Sequence, residues 1–282
     1  MKIWQVTGWI AWGLLGACGA AWVQAQPGPT GATASCKTLK ASGNPQYPPY
    51  LWPDPVQEGQ LVGANADLMA WLGKELGVTI EVRHVGSWGR VQEEMRAGRL
   101  DLIAGAFFTL PRTEYMDYVH PPFRETRSVV LVREAKPFDY QRWTDLVPRA
   151  GLTVINNSFG EAFDRFAADK LRISKTPTLE QAMGMLALGR ADYLLYEDSP
   201  AEAYMARMNV RGVKLLSPPV AQEQLYVTLS HRSECNTPEL RGALARAMFK
   251  LQREKLMPDF VRAGVLRWQK EGAAVSAAPN KP

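Results

Sequence analysis

The sequence predicts an α/β protein built from two similar lobes whose sheets are mostly parallel. Three observations lead to this prediction. Strand-like and helix-like segments alternate along most of the 282 residues, which is the pattern of parallel sheets covered by helices. One short motif occurs twice along the chain. The length also suffices for two lobes of about 100–150 residues each.

The individual elements follow from local periodicity. The first helix is predicted at 65–76, where Leu68, Leu72 and Leu76 share an apolar stripe that ends at Gly77. The same reasoning predicts further helices at 88–97, 161–169, 179–188 and 238–251. Short apolar runs predict strands at 37–41, 78–82, 128–132, 152–155 and 225–229. After Trp268 the Gly, Ala, Pro, Ser and Lys composition predicts a disordered tail, 269–282.

The repeated motif is Gly-Arg-x-Asp, at residues 98–101 and again at residues 189–192. In both copies a helical pattern precedes the glycine and a short apolar run follows the aspartate. Glycine adopts the left-handed conformation that ends many helices, and the apolar runs suit strands buried on both faces of a parallel sheet. The motif therefore predicts the same helix-to-strand turn in two lobes, each with a sheet of its own.

The first 25 residues have the features of an export signal. Lys2 precedes an apolar run that is followed by small residues and a polar segment, which favours a cleaved signal peptide, 1–25, over an uncleaved membrane anchor. The alternative cleavage pattern is Leu-Gly-Ala-Cys at 15–18, which is typical of a lipoprotein anchored at Cys18. No later segment has the roughly 18 uninterrupted apolar residues of a transmembrane span.

Cysteine usage agrees with export. Beyond Cys18 the chain has only Cys36 and Cys235, and an isolated pair in an oxidising compartment usually forms a disulfide. Such a bond requires Cα atoms within about 7 Å of each other. Two unpaired thiols are the alternative.

Charge and motif content exclude several classes of function. The formal net charge is +5, and no basic run concentrates it, so nucleic acid is not an expected partner. The three histidines are scattered, and no HExxH, GxSxG or CxxC motif is present. We expect no metal and no cofactor.

Several ordered motifs resemble one family. They are Tyr-Pro-Pro-Tyr at 47–50, Leu-Val-Gly-Ala-Asn-Ala-Asp-Leu at 61–68, Thr-Leu-Pro-Arg at 109–112, Tyr-Met-Asp-Tyr at 115–118 and Asp-Ser-Pro at 198–200. In this order, together with the Gly-Arg-x-Asp pair and an export signal, they resemble extracellular solute-binding protein family 3, the periplasmic receptors for polar amino acids. The resemblance covers about residues 36–268.

The resemblance implies a type II periplasmic-binding-protein fold. Residues 36–123 and 220–268 would form lobe 1, residues 124–219 would form lobe 2, and two hinge strands would join them around a ligand cleft. It also implies a monomeric periplasmic receptor that delivers an amino-acid-like solute to an inner-membrane ABC permease. Two alternatives remain: a cyclohexadienyl-dehydratase-like enzyme with Glu197 as acid, and a ligand-sensing lobe for a membrane partner.

A free amino acid presents a carboxylate and an ammonium group. Arg112 is the candidate for the carboxylate, because a guanidinium donates two parallel hydrogen bonds and the residue lies shortly beyond the carboxyl end of the predicted strand at 102–104. The resemblance gives the arginine of Thr-x-x-Arg this role, with Thr109 beside it. The ammonium needs an acid at the equivalent strand end of lobe 2, either Glu197 or Asp198, and spacing from the repeat favours Glu197.

Aromatic and hydroxyl side chains complete the predicted site. Tyr50 matches the family's aromatic residue that stacks on the ligand, whereas Tyr47 and Trp88 suit either the cleft or the core. Ser158 and the amides at 157–160 precede a helix, where they suit either a ligand carboxylate or a simple helix cap.

Two departures from the family pattern concern the ligand. Phe107 stands where the family usually has a small hydroxyl residue, and one extra residue lies between Gly151 and Gly160. The sequence therefore leaves open which solute is bound.

Overall fold

The computed structural model describes Met1 and residues 36–277, with side chains as far as Gly272. The predicted signal peptide, 1–25, including Cys18, lies outside the described residues apart from Met1. Ten strands are described: β1 (Thr38–Ser42), β2 (Trp52–Pro53), β3 (Leu61–Val62), β4 (Thr79–Val82), β5 (Leu102–Phe107), β6 (Met116–Arg133), β7 (Ala150–Val154), β8 (Arg172–Thr176), β9 (Tyr193–Glu197) and β10 (Val213–Ser230). The helices are α1 (Ala64–Leu76), α2 (Trp88–Arg96), α3 (Glu161–Lys170), α4 (Leu179–Ala187), α5 (Asp198–Arg207), α6 (Pro238–Glu254) and α7 (Met257–Ala277).

Eight strands form one sheet in the order β4-β1-β5-β10-β6-β9-β7-β8. Strand β1 is parallel to β4 and β5 in one half, and β7 is parallel to β8 and β9 in the other. Between the halves, β6 and β10 pair antiparallel over 18 residues each. The two halves are the sheets of two α/β lobes, and the two long strands join them as hinge strands, which is the predicted fold class.

The expectation of two separate sheets is wrong, because the ladders are continuous through β6 and β10. The apolar runs at 128–132 and 225–229 predict only the carboxyl-terminal parts of these strands. The remainder is interrupted by Pro121, Pro122, Pro218 and Pro219, which cannot donate ladder hydrogen bonds and therefore hide the strand pattern. The β6–β10 register shifts between Leu216 and Ala221, next to the second proline pair.

The two Gly-Arg-x-Asp motifs occupy equivalent positions in the two halves, as predicted. Both motif glycines have a φ of 74° and end a helix before β5 or β9. The Asp101 carboxylate accepts a hydrogen bond from the Lys40 backbone N–H of β1 at 2.7 Å, and the Asp192 carboxylate accepts one from the Ala150 N–H of β7 at 3.0 Å. In each lobe the aspartate therefore fixes the next parallel strand against the turn.

Each lobe buries its own apolar core between sheet and helices. In the first lobe α1 and α6 cover the sheet with residues such as Leu39, Leu68, Leu72, Val227, Leu244 and Met248. In the second lobe α4 and α5 pack on one face, through Leu131, Leu152, Leu186, Leu194 and Tyr204, and α3 packs on the other. Cys36 and Cys235 are bonded, with Cα atoms 5.8 Å apart, which confirms the predicted disulfide.

The carboxyl-terminal helix reaches across to the second lobe. The Trp268 ring lies 5.3 Å from that of Trp52, and its indole N–H donates to the Ala203 carbonyl at 3.0 Å. Trp52 in turn donates to Glu271 at 2.7 Å. The predicted disordered tail, 269–282, therefore begins too early, because these contacts carry α7 on to Ala277. Residues 278–282 lie outside the described residues. None of the helices in the described part of the chain has the length and apolarity to cross a bilayer.

Candidate functional site

Two of the predicted charged residues, Arg112 and Glu197, meet in a small cavity between the lobes. This head cavity has a volume of about 30 Å³ and is lined by Asn44, Tyr47, Trp88, Gly105, Ala106, Phe107, Arg112, Asn157, Glu197 and Leu225. Its walls come from the carboxyl ends of β5 and β9 and from the loops after β1 and β7. Open α/β sheets bind ligands at this edge.

Arg112 lies on a 3₁₀ turn, Leu110–Glu114, shortly after β5. Thr109 is the N-cap of this turn, and Pro111 lies in its first positions. Its side chain is 6% exposed. One guanidinium N–H donates to the Phe107 carbonyl at 3.0 Å, and the Cζ atom lies 5.3 Å from the centre of the Trp88 ring. Among the described residues, no carboxylate oxygen lies within 4 Å of the guanidinium. The side chain is therefore a fixed, buried cation without an acid partner.

Glu197 is the last residue of β9 and is 2% exposed. Burial raises the pKa of its carboxyl to about 7 because removal from water disfavours the charged form. The negative charge of Asp198 adds to the rise, whereas Asn157 and the Arg112 cation offset part of it. The carboxyl thus changes its charge near neutral pH and would be held ionised by a cation in the cavity.

Unpaired polar atoms concentrate in this cavity. Seven buried side-chain atoms of the described residues have no hydrogen-bond partner, and three of them belong to head-cavity residues: Tyr47 Oη, Asn157 Nδ2 and Glu197 Oε2. Although Asn157 lowers the pKa of Glu197, no hydrogen bond of acceptable geometry closes between their side chains. Buried polar groups are nearly always paired in native structures. These atoms therefore mark a surface built to contact a polar ligand.

Asp198 is engaged elsewhere. One carboxylate oxygen accepts hydrogen bonds from Arg127 Nε at 2.8 Å and Nη2 at 2.7 Å, and the other accepts the Ser199 backbone N–H at 2.7 Å. The side chain lies against strand β6 and does not line the head cavity. The geometry therefore favours Glu197 over Asp198 as the acid that faces Arg112.

The two tyrosines of Tyr-Pro-Pro-Tyr have different positions. Tyr47 lines the head cavity, whereas Tyr50 lies behind it, with its hydroxyl accepting a hydrogen bond from Arg124 Nε at 2.7 Å. The two rings are 4.9 Å apart, so Tyr50 supports Tyr47 rather than facing the cavity. Trp88 lines the cavity and donates its indole N–H to the Asn156 carbonyl of the other lobe at 3.1 Å.

Thr109 and Ser158 line a second cavity, of about 450 Å³, on the other side of Arg112. The Ser158 hydroxyl donates to Asp164 Oδ2 at 2.5 Å, and the Phe159 backbone N–H donates to Asp164 Oδ1 at 2.8 Å. A carboxylate of the chain itself thus occupies the start of α3. Ser158 is therefore engaged within the chain, but it does not cap α3, whose N-cap residue is Gly160 without a side-chain cap hydrogen bond.

The side chains of Asn44 and Asn157 both line the head cavity, although the sequence pointed only to the backbone amide of Asn157 and not to Asn44. Asn44 follows the end of β1 and Asn157 follows the end of β7, the equivalent strand of the second lobe. Their position after paired strand ends is the signal that would have found them. Within the described residues, no group of three or more His, Cys, Asp and Glu side chains is arranged to hold a metal ion.

Solved structures support the fold. An amino acid ABC transporter substrate-binding protein AbpA from Streptococcus pneumoniae, bound to L-arginine, superposes with a TM-score of 0.68 at 19% identity, covering 84% of this chain and 98% of that chain. A histidine kinase sensor domain with similarity to periplasmic binding proteins gives a TM-score of 0.69 at 21% identity, covering 82% and 96%. These superpositions show that the chain shares the fold of both structures.

Sequence comparisons identify the family. The arginine-binding protein ArgT of Corynebacterium glutamicum is 26% identical over 200 residues, which are 67% of this chain. The chain spans 64% of the length of that relative. The family model of the bacterial extracellular solute-binding proteins, family 3, matches residues 39–261. Since this match covers most of the sequence, the chain belongs to the bacterial extracellular solute-binding proteins of family 3.

Proposed function

We propose that the protein is a periplasmic receptor that binds a small amino-acid-like solute between its lobes and delivers it to an inner-membrane ABC permease. One observation carries the proposal: the Arg112 guanidinium and the Glu197 carboxyl enter one buried cavity from opposite lobes. An amino acid has a carboxylate and an ammonium on the same carbon. The carboxylate pairs with Arg112 and the ammonium with Glu197, so one ligand bridges the lobes.

The head cavity also implies a movement. A cavity of about 30 Å³ holds little more than one water molecule, so the lobes must separate before a solute can enter. The described strands that link the halves of the sheet are β6 and β10. We propose the division predicted from the sequence, with 36–123 and 220–268 in lobe 1 and 124–219 in lobe 2. The ladder irregularities near Ala221 and Leu225 are suitable hinge points.

Charge burial explains why closure would depend on the ligand. Buried charges are stable only when they are paired, and the side chains of Arg112 and Glu197 are both buried. An amino-acid head group supplies one charge of each sign, and hydrogen bonds between ionised groups are stronger than neutral ones. Ligand binding therefore stabilises the closed arrangement of the lobes.

The relatives support the transport role. ArgT is named as an arginine-binding protein and AbpA as a substrate-binding protein of an amino acid ABC transporter. The periplasmic location is part of the proposal, with export through a cleaved signal peptide, 1–25, or anchoring at Cys18. We also propose that the receptor is a monomer.

We propose binding rather than catalysis. None of the three histidines lines the head cavity: His120 packs on Tyr226 at 5.1 Å, and His231 contacts Asp117 at 3.2 Å. Glu197 therefore has no histidine beside it that would act as a catalytic partner. Incubation with prephenate-like compounds tests this point, and their turnover would identify the dehydratase alternative.

A thermal-shift screen against the standard amino acids and small carboxylates tests the proposal. A ligand that binds only the folded state stabilises it by about 2.7 kcal/mol at a hundredfold excess over its dissociation constant. We expect at least one amino acid to raise the melting temperature, and Arg112→Ala to abolish that rise. The absence of any rise across the whole screen would contradict an amino-acid receptor.

A further inference from the structure

A much larger cavity adjoins the head cavity. It has a volume of about 610 Å³, lies between the same two lobes, and shares Asn44 and Trp88 with the head cavity. We call it the aromatic cavity. Drug-sized ligands occupy pockets of about 300–1,000 Å³. The head cavity accommodates charged head groups only, so the rest of any larger solute must lie in a neighbouring space.

Four aromatic rings form the walls of the aromatic cavity, from Trp52, Trp88, Tyr204 and Trp268. The Trp268 ring is 5.3 Å from Trp52 and 5.4 Å from Tyr204, and both pairs meet edge to face. Val154, Ile155 and three prolines add further apolar surface. Pockets of this composition bind bulky organic groups through ring stacking and burial of apolar area.

One acid, one arginine and one histidine line the aromatic cavity: Glu180, Arg207 and His84. Glu180 accepts a hydrogen bond from Gln46 Nε2 at 2.9 Å, whereas Arg207 stacks on Trp268 at 3.1 Å and pairs with Glu271 at 3.5 Å. Both charged groups are therefore engaged by neighbours, and the wall adds neutral polar groups from Asn44, Gln46, Ser87, Asn156 and Thr178. An aromatic side chain with a polar edge fits these walls.

The other neighbour of the head cavity has the opposite character. The 450 Å³ cavity beyond Arg112 is lined by charged side chains of both signs: Arg96, Glu161, Asp164 and Arg165. An apolar side chain placed there would desolvate these charges without pairing them, which costs free energy. The two neighbouring cavities therefore orient the ligand: its carboxylate points toward the charged cavity and its side chain points toward the aromatic cavity.

We infer that the solute is an amino acid with a large, neutral, aromatic side chain, which lies in the aromatic cavity while its head group meets Arg112 and Glu197. This inference rests on the proposed function, because it assumes an amino-acid head group in the head cavity. It adds the substrate class, which neither the charged residues nor the fold determines.

Ile155 provides a test of the cavity wall. Its side chain is 43% exposed and lines the aromatic cavity, and its backbone N–H is held by Thr176 in the sheet. Ile155→Trp therefore fills the cavity from its rim without disturbing the core. Leu188→Trp is the matched control, since Leu188 is 71% exposed on the same lobe and lines none of the cavities described here.

The experiment is calorimetry of the wild-type protein and both variants with L-tryptophan, L-alanine and L-arginine. We expect wild-type protein to bind L-tryptophan about tenfold or more tighter than L-alanine. Ile155→Trp should lose about tenfold or more for L-tryptophan while L-alanine is unaffected, and Leu188→Trp should match wild type. If Ile155→Trp fails to fold, the ligand comparison on the wild-type protein decides alone.

The outcomes separate the two proposals. Tighter binding of L-arginine or L-alanine than of L-tryptophan would overturn the aromatic substrate class and leave the receptor function standing. Equal loss of L-tryptophan affinity in Leu188→Trp would also overturn it, because the loss would not come from filling the cavity. Failure of all three amino acids to bind would overturn this inference, whereas the receptor proposal would fall only if no amino acid in the thermal-shift screen bound.

Discussion

The two lobes build the same helix-to-strand turn but carry opposite charges beyond it. In the first lobe β5 leads into a 3₁₀ turn that fixes Arg112 through the Phe107 carbonyl. In the second lobe the charge lies on the last residue of β9 itself, where Glu197 Oε2 has no partner. The comparison teaches that the repeat supplies a scaffold for two strand ends, and that the residues placed just after it determine the chemistry.

The charges of Arg112 and Glu197 also differ in their dependence on pH. A guanidinium stays protonated at all relevant pH values, whereas burial raises the pKa of Glu197 to about 7. The first lobe therefore offers a permanent cation, and the second offers an acid whose charge depends on pH and on the ligand. The following predictions test this contrast, beginning with the largest effect.

Removing the permanent cation should have the largest effect. Arg112→Ala should weaken binding of the amino acid found in the screen by roughly 30- to 4000-fold, because loss of one partner of a desolvated ion pair costs about 2–5 kcal/mol. Arg112→Lys should also bind poorly, since a point charge cannot replace the two-pronged contact. Calorimetry measures both. The control is Arg253→Ala, which removes an exposed arginine that pairs with Glu254 at 3.6 Å and lines none of the cavities described here. Unchanged affinity in Arg112→Ala would place the carboxylate contact elsewhere.

The titratable acid should make ligand binding pH-dependent. With a folded pKa of about 7, Glu197 is mostly neutral at pH 5.5, so a ligand ammonium should bind about 30-fold more weakly there than at pH 8. Calorimetry at the two pH values measures this ratio. In Glu197→Gln the ratio should fall close to one. A ratio that persists in Glu197→Gln would assign the pH dependence to another group.

The same group should lower the stability of the ligand-free protein at high pH. Its folded pKa is raised above the unfolded value, so the folded state binds the extra proton and is favoured at low pH. Between about pH 4.5 and 7.5 the free energy of unfolding should decrease by up to about 3 kcal/mol from this group. Denaturant unfolding at several pH values measures the slope, and Glu197→Gln should flatten it. A slope of opposite sign in the wild-type minus Glu197→Gln difference would refute the raised pKa.

Replacing each motif aspartate should lower the free energy of unfolding, and the difference between the two losses should be smaller than the effects above. Asp101 accepts hydrogen bonds from Lys40 N–H and from the Ser233 hydroxyl at 2.5 Å, whereas Asp192 has the Ala150 N–H and a distant Lys136 at 3.7 Å. Asp101→Ala should therefore cost about 1–3 kcal/mol more than Asp192→Ala, the value of one further hydrogen bond to a charged group. Denaturant unfolding of both variants checks the difference. Equal costs would mean that the Ser233 bond contributes nothing.

The smallest effect is expected at Asp198, which is adjacent to Glu197 but paired with Arg127. Asp198→Asn should change ligand affinity only a few-fold, because partly exposed ion pairs contribute about 0–1 kcal/mol and the side chain lies outside the head cavity. Calorimetry on Asp198→Asn beside Glu197→Gln makes the comparison. A larger loss in Asp198→Asn would reverse the assignment of the acid.

Glu197 was predicted by counting from the motif aspartate, which succeeds because β9 continues without interruption up to that residue. Arg112 was predicted from its position beyond the end of β5 and from the Thr-x-x-Arg motif. The fold class was predictable from the alternation of strands and helices and from the repeated motif. The long strands β6 and β10 were only partly predicted, because paired prolines break their pattern.

The misplaced residues depended on contacts that no local pattern reports. Tyr47 and Tyr50 are the same residue type within one motif. Only the contact with Arg124 shows that the Tyr50 hydroxyl faces away from the head cavity. Ser158 is not available to a ligand carboxylate because its hydroxyl donates a hydrogen bond to Asp164. The end of α7 depended on Glu271 meeting Trp52, which is distant in sequence.

The central claim is that Arg112 and Glu197 together hold the two charges of one amino-acid head group. Calorimetry at pH 8 with the best-bound amino acid, the amine that lacks its carboxylate and the acid that lacks its ammonium tests it most directly. The account predicts that both analogues bind at least about tenfold more weakly than the amino acid, and that Glu197→Gln removes the preference over the deaminated acid only. Wild-type binding of the deaminated acid as tight as that of the amino acid would contradict the claim.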